Sequence, residues 1–232
     1  MTDYARFAIY YIPEPGPLAD FGASWLGWDV QSGREAAHPD TEGLPHPVAE
    51  ITATPRKYGF HGTVKPPFRL APGHDAEGLV RAATLLASRL EPITLDGLQL
   101  TRLGSFLALT PKADKHQLSA LTALASEWVQ GLDAFRAPAP QSELDRRRKA
   151  GLSPRQEALL QQWGYPYVME EFHFHLTLTG RLSAIEAPRV EAALKPLIAP
   201  LLPKPFVISS VALCGEDTEG RFHMIRRLPL GG

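Results

Sequence analysis

The chain has 232 residues, 44% of them hydrophobic, with 24 Lys and Arg against 25 Asp and Glu. That hydrophobic share is enough for a sizeable core without staples, and the near-neutral charge disfavours a protein that neutralises many phosphates of a long nucleic acid. A single cysteine, Cys214, excludes an intramolecular disulfide framework and a cysteine-rich zinc site. Residues Met1 to Arg6 lack a basic segment followed by an apolar one, and no apolar run is long enough to cross a bilayer, so the expectation is a cytoplasmic protein without membrane contact.

In chain order, residues 4–12 are aromatic and β-branched and predict a first strand, stopped by Pro13, Pro15 and Pro17. Pro17 suits the first turn of a helix that carries Leu18, Phe21 and Trp25 and ends near Gly27. Residues 31–55 read as an irregular loop with one short helical turn, in which His38 and His46 are expected to be solvated. After a Gly-containing stretch at 56–68, Asp75 caps a helix to about residue 90 with an apolar stripe of Leu79, Val80, Ala83, Leu86 and Leu90. Strands are predicted at 93–100 and 102–110, then a helix from 112 to 131. Residues 132–167 differ in kind, with Pro138 and Pro140 marking a break. A polar helix at 143–149 and a second one signalled by Ser153, Pro154 and Gln156 predict an inserted helical pair within a single domain spanning 1–232. The basic run Arg146 to Lys149 reads as a solvated helix face. A strand at 168–180, a helix striped by Val190, Leu194, Leu197 and Ile198, and a closing hairpin with arms at 206–214 and 221–228 complete the chain.

Two stretches carry the chemistry. In Phe172-His173-Phe174-His175-Leu176-Thr177-Leu178-Thr179-Gly180, strand alternation puts the histidines and threonines on one face and the apolar residues on the other. In Phe60-His61-Gly62-Thr63-Val64-Lys65 the same alternation puts His61, Thr63 and Lys65 together. Gly59 and Gly62 pack nothing themselves and suggest a place where another group, such as a ligand, approaches closely. Two histidines on opposite sides of a reacting phosphorus can divide acid and base work near neutral pH. A threonine two residues on offers its hydroxyl to a phosphate oxygen from the same face and suits a strand.

His61-Gly62-Thr63-Val64 and His175-Leu176-Thr177-Leu178 resemble the paired His-x-Thr/Ser-hydrophobic signatures of the two-histidine (2H) phosphoesterase superfamily, which includes the LigT-like RNA 2′,3′-cyclic phosphodiesterases. The strings Arg56-Lys57-Tyr58-Gly59-Phe60-His61, Lys65-Pro66-Pro67-Phe68, Trp163-Gly164-Tyr165-Pro166-Tyr167 and Phe172-His173-Phe174-His175 resemble its bacterial branch encoded beside phosphonate-degradation genes. The resemblance implies a bilobal α+β fold of pseudo-two-fold form, with two antiparallel sheets facing across a central cleft and helices outside. It implies metal-independent opening of a cyclic phosphodiester, or the reverse joining, with no cofactor, on a small phosphorylated substrate such as 5-phosphoribosyl 1,2-cyclic phosphate. His61 and His175 would be general base and acid, in undetermined order, and Thr63 and Thr177 would hold nonbridging oxygens. That branch resembles a pattern with arginine where His173 stands, which implies an anion-binding role for His173 only when protonated.

Lys65 is expected to add charge stabilisation, and Tyr10, Tyr58 and Tyr167 to bind or stack on the substrate. Two other readings use the same residues. His61, His173 and His175 could hold a catalytic zinc, although the threonines would then lack a purpose. The same cleft could serve a noncatalytic binder of cyclic nucleotides, or a protein acting on or binding an RNA terminus.

Overall fold

The structure, a computed structural model, describes residues 4–231. A seven-stranded antiparallel sheet organises it. The sheet takes in β1 (Arg6–Tyr11), β4 (Gly62–Phe68), β6 (Gly97–Leu103), β7 (Phe106–Lys112), β8 (Leu176–Thr177), β10 (Ser210–Glu216) and β11 (Phe222–Pro229), in the order β11-β10-β1-β4-β8-β7-β6. Two small ribbons flank it, β2 (Trp28–Asp29) with β3 (Arg34–Glu35), and β5 (Ile93–Leu95) with β9 (Phe206–Ile208). The class is the expected α+β with antiparallel strands. Its two halves, β11-β10-β1-β4 and β8-β7-β6, meet through the single ladder pair Gly62–Leu176, so the two motifs meet at the seam.

Alternation along the strands sorts the two faces of this sheet. Phe7, Ile9, Val64, Leu107, Leu109, Leu176, Val211 and Leu213 enter the main core. That core is closed by α1 (Pro17–Leu26), α4 (Ala76–Ala87), α5 (Lys115–Gly131) and α8 (Glu186–Ile198). The other face holds a smaller apolar cluster of Ala8, Tyr10, Ile12, Ala212, Cys214 and Phe222, covered by Trp28 and Val30 of the β2–β3 ribbon. The candidate site lies on this second face, where the helices leave it open.

Several local signals act as expected. Pro17 opens α1 and Gly27 closes it at φ 78. The Asp75 side chain accepts from Gly78 N–H at the start of α4. Asp114 with Gln117, and Ser153 with Gln156, form capping boxes at α5 and at α7 (Pro154–Trp163). The polar helix expected at 143–149 is α6 (Gln141–Arg148). Within its basic run, Arg147 pairs with Glu143 and lies over the Tyr165 ring, and Arg148 pairs with Glu157 and Asp145.

Other expectations are corrected. The 31–55 segment carries the β2–β3 ribbon's second strand and two short helices, α2 (Val48–Ile51) and α3 (Ala53–Arg56). Of its histidines, His46 is exposed as expected, with Nε2 2.8 Å from Glu186, whereas His38 is half-buried with Nδ1 3.1 Å from the Trp25 carbonyl. The break between the strands at 93–110 falls at Gly104, whose φ of 58 suits glycine, rather than at residue 101. The expected arm at 206–214 is divided, because β9 pairs with β5 while β10 pairs with β1 and β11.

The largest correction concerns the second motif. Only Leu176 and Thr177 of the expected strand at 168–180 join a ladder, wedged between β4 and β7. Residues Met169–Glu171 form a 3-10 turn opened by Met169 at φ 55, and the chain reaches the sheet only afterwards. Two bonds that involve side chains help to hold the short strand in place. Trp25 Nε1 of α1 donates to the Leu178 carbonyl at 2.8 Å, and Leu107 N–H donates to Thr179 Oγ1 at 3.0 Å. Thr179, 1% exposed, is thus used as a backbone tie.

Candidate active site

The pair Gly62–Leu176 sets the geometry of the site. In that antiparallel register His61 stands opposite Thr177 and Thr63 opposite His175, and all four point to the face away from the main core. Histidines therefore occupy one diagonal of a four-residue array and threonines the other. Diagonal neighbours across a strand pair are about 7–8 Å apart, a span in which a tetrahedral phosphate fits between two imidazoles. Cavities flank the array on both sides. One, of about 270 Å3, is lined by His61, Thr177, Tyr58, Phe106 and Arg181 among others. The second, of about 260 Å3, is lined by Thr63, His175, His173, Tyr165, Tyr167 and Glu171 among others. A larger, proline-rich groove of about 530 Å3 at Tyr11, Pro13 and Pro205 lies away from every histidine of the motifs.

Each motif imidazole is anchored by the carbonyl two residues before it. Nδ1 of His61 lies 2.9 Å from the Gly59 carbonyl, and Nδ1 of His175 lies 2.8 Å from that of His173. A carbonyl only accepts, so Nδ1 carries the proton and donates, leaving Nε2 as the free working nitrogen of both rings. His61 Nε2 lies 3.1 Å from Thr63 Oγ1, directed toward the middle of the array. Tyr10, 1% exposed, lies against the His61 ring at 3.9 Å between centroids, and Tyr58 is 6.0 Å away. Burial lowers the His61 pKa to about 4, partly opposed by the Gly59 carbonyl and reinforced by His175. His61 is therefore neutral near pH 7 and able to take a proton.

The remaining residues named from the sequence divide into two groups. Tyr58, Tyr167 and His173 line the cavities. Tyr10 backs the His61 ring from below, within the apolar cluster of that face. Lys65 is not brought to the site. A register shift in the β1–β4 pair, with Tyr10 opposite Thr63 but Ile9 opposite Lys65, turns Lys65 toward the core side. There it is 2% exposed and donates to the Val129 carbonyl at 2.8 Å near the end of α5, and burial lowers its pKa to about 8. Lys65→Met should orphan that carbonyl and cost about 1–3 kcal/mol, read as a lower melting temperature with KM unmoved. A raised KM at unchanged stability would return Lys65 to the site.

The two glycines also have a different purpose from the one expected. A Cβ on Gly62 would come 2.6 Å from the Phe174 ring, and one on Gly59 would come 2.6 Å from Val30, with φ at 70. The close approach is made by the protein's own side chains. Arg181, Phe106, Tyr165 and Glu171 line the cavities without having been singled out. Arg181 was open to view as the first charge after the second motif. Phe106, whose ring lies 5.8 Å from that of His175, shares its face only through the Ala108–Thr177 pairing. Among the described residues no group of three His, Cys, Asp or Glu is disposed to hold a metal ion, so His61, His173 and His175 do not assemble as a zinc triad. No described helix is long and apolar enough to cross a membrane.

Two curated relatives are each called "Ribose 1,5-bisphosphate phosphokinase PhnN". The one from Janthinobacterium sp. (strain Marseille) is 36% identical over 98% of this chain and 51% of its own length. The one from Laribacter hongkongensis (strain HLHK9) is 34% identical over 79% of this chain and 42% of its own length. The chain thus spans about half the length of the curated relatives it matches. Among solved structures, E. coli LigT in apo form aligns at 16% identity and a TM-score of 0.44 over 100% of both chains. LigT complexed with 3′-AMP aligns at 15% identity and a TM-score of 0.42 over 99% of this chain and 100% of its own. A family model described as "Protein of unknown function (DUF1045)" matches residues 63–223, which include Thr63, His175, Thr177 and Arg181, and the chain belongs to that family.

Proposed function

We propose that this protein is a cyclic phosphodiesterase that opens a small cyclic phosphodiester by two-histidine acid–base catalysis. The observation that carries the reading is the Gly62–Leu176 register, which sets two histidines and two threonines on one open face in crossed positions. A phosphate seated over that pair has a threonine hydroxyl for each nonbridging oxygen and an imidazole on either side for in-line displacement.

The environment of His61 supports a division of labour. His61, held neutral by burial, takes a proton from the attacking water through Nε2. The water oxygen bonds to phosphorus, the ring P–O bond breaks, and His175 in its protonated form gives its Nε2 proton to the departing sugar oxygen. The product is a phosphomonoester. Thr63, which donates to His61 Nε2 in the free site, turns its hydroxyl to the phosphate as substrate enters. Because this scheme uses protons and hydroxyl groups alone, turnover is expected to persist in the presence of a chelator.

The low pKa of His61 makes a signed prediction. A base that ionises at about 4 remains competent well below the ordinary histidine value of about 6.5. The acid limb of kcat/KM is therefore expected to fall near pH 4 to 5. A limb near 6.5 would show that His61 is not the free enzyme's essential base.

The modest cavities favour a small ligand over a polynucleotide. The relatives' name concerns a phosphorylated ribose, which agrees with a ribose cyclic phosphate as substrate. The kinase activity in that name has no Gly-x-x-x-x-Gly-Lys-Ser/Thr phosphate cradle in this chain to support it. Phosphorus NMR of the protein with a panel of ribose and nucleoside cyclic phosphates tests the proposal. It reports ring opening and which ester remains, whereas stoichiometric binding without turnover across the panel would favour a noncatalytic binder.

A further inference from the structure

The four motif residues are arranged with two-fold symmetry, but the walls around them are not. On the Thr63–His175 side the cavity is lined by Tyr165, Tyr167, His173 and the carboxylate of Glu171, to which Gln156 Nε2 donates at 2.9 Å. On the His61–Thr177 side the lining is Pro55, the rings of Tyr58 and Phe106, neutral His61, threonines and glycines, together with one ionised side chain, Arg181. Arg181 is exposed and makes no ion pair or side-chain hydrogen bond among the described residues. The nearby Arg56, by contrast, is engaged by the carbonyls of Leu26 and Ala49.

An unpartnered guanidinium beside largely apolar walls is a selective environment. Its planar fork matches the oxygens of a phosphate better than an ammonium would. Tyr58 and Phe106 offer faces for a sugar or ring between that cation and the histidine pair. We propose that Arg181 holds a second, non-reacting phosphate of the substrate, so that the preferred substrates are cyclic phosphodiesters bearing an additional phosphomonoester. The proposal rests on the reading of the His–Thr array as the seat of the reacting phosphate. It assigns the opposite cavity, with its carboxylate, to the uncharged end of the substrate.

Calorimetric titration of the full chain with ribose 5-phosphate and with ribose 1,5-bisphosphate tests this without requiring turnover. The bisphosphate is expected to bind at least tenfold more tightly. That ratio should fall to about one in Arg181→Ala and recover in part in Arg181→Lys, while Arg189→Ala, an exposed arginine of α8 outside both cavities, keeps it. Equal affinity for the two sugars in the unaltered protein, or an unchanged ratio in Arg181→Ala, would overturn the assignment. If the ratio behaves as expected but no cyclic phosphodiester is opened, the phosphodiesterase reading fails and the anion site stands. If rings are opened with no dependence on a second phosphate, the reverse holds.

Discussion

His61→Ala and His175→Ala are each expected to lower kcat/KM for a cyclic phosphodiester by about 10²–10⁴-fold, the range for loss of a positioned acid or base. The loss should appear mainly in kcat, because each imidazole acts on a proton that moves in the transition state. The double variant is expected to lose little more than the worse single one, since acid and base serve the same displacement. Thr63→Val and Thr177→Val keep shape and remove a hydroxyl, so a loss shared between KM and kcat is expected of both. His61 also packs on Tyr10, and a thermal melt of each variant separates damage to the fold from damage to the chemistry. Full activity in either histidine variant would remove the proposed mechanism, whichever residue was assigned as base.

Gly62→Ala is expected to damage both the fold and the turnover. Its added methyl would lie 2.6 Å from the Phe174 ring, inside van der Waals contact. Phe174 is 5% exposed and packs against Tyr11 and Phe206 at 5.8 and 6.0 Å between centroids, so the ring has little room to retreat. Overpacking of this kind costs about 1–3 kcal/mol, which for a chain of this size corresponds to a fall in Tm of roughly 2–12 °C. Gly62–Leu176 is also the sole ladder pair joining β4 to β8, so separating the strands would move His61 away from His175 and reduce turnover in the same variant. Phe174→Leu in the Gly62→Ala background should restore part of both losses. A Gly62→Ala protein that melts and turns over like the parent would show that the seam tolerates a side chain.

Local signals carried much of the fold. Pro17 and Gly27, Asp75, the Asp114–Gln117 and Ser153–Gln156 boxes, and the apolar stripes of α4, α5 and α8 act within a turn or two of chain, which is why they can be read without tertiary information. Strand pairing depends on segments distant in sequence, which no local signal encodes. Nothing within residues 206–214 says that Ile208 will pair with Ile93 while Ser210 pairs with Pro229. Nothing in Gly62-Thr63-Val64-Lys65 says that a shift against β1 will turn Lys65 inward to the end of α5.

The sequence by itself determined that His61 would share a face with Thr63, and His175 with Thr177, because strand alternation puts residues two apart on one side whatever the rest of the chain does. It could not say how the two halves meet. That was decided by the single pair Gly62–Leu176, which crosses the motifs so that histidine faces threonine on both sides. The long motif strand shortened to two paired residues because only Leu176 finds partners in both β4 and β7, and Thr177 one in β7. Arg181 acquired its position beside Tyr58 and Phe106 only when three segments far apart in the chain closed around one cavity. Alternation is a property of one backbone, whereas register, burial and an unpartnered charge are properties of what folds against it.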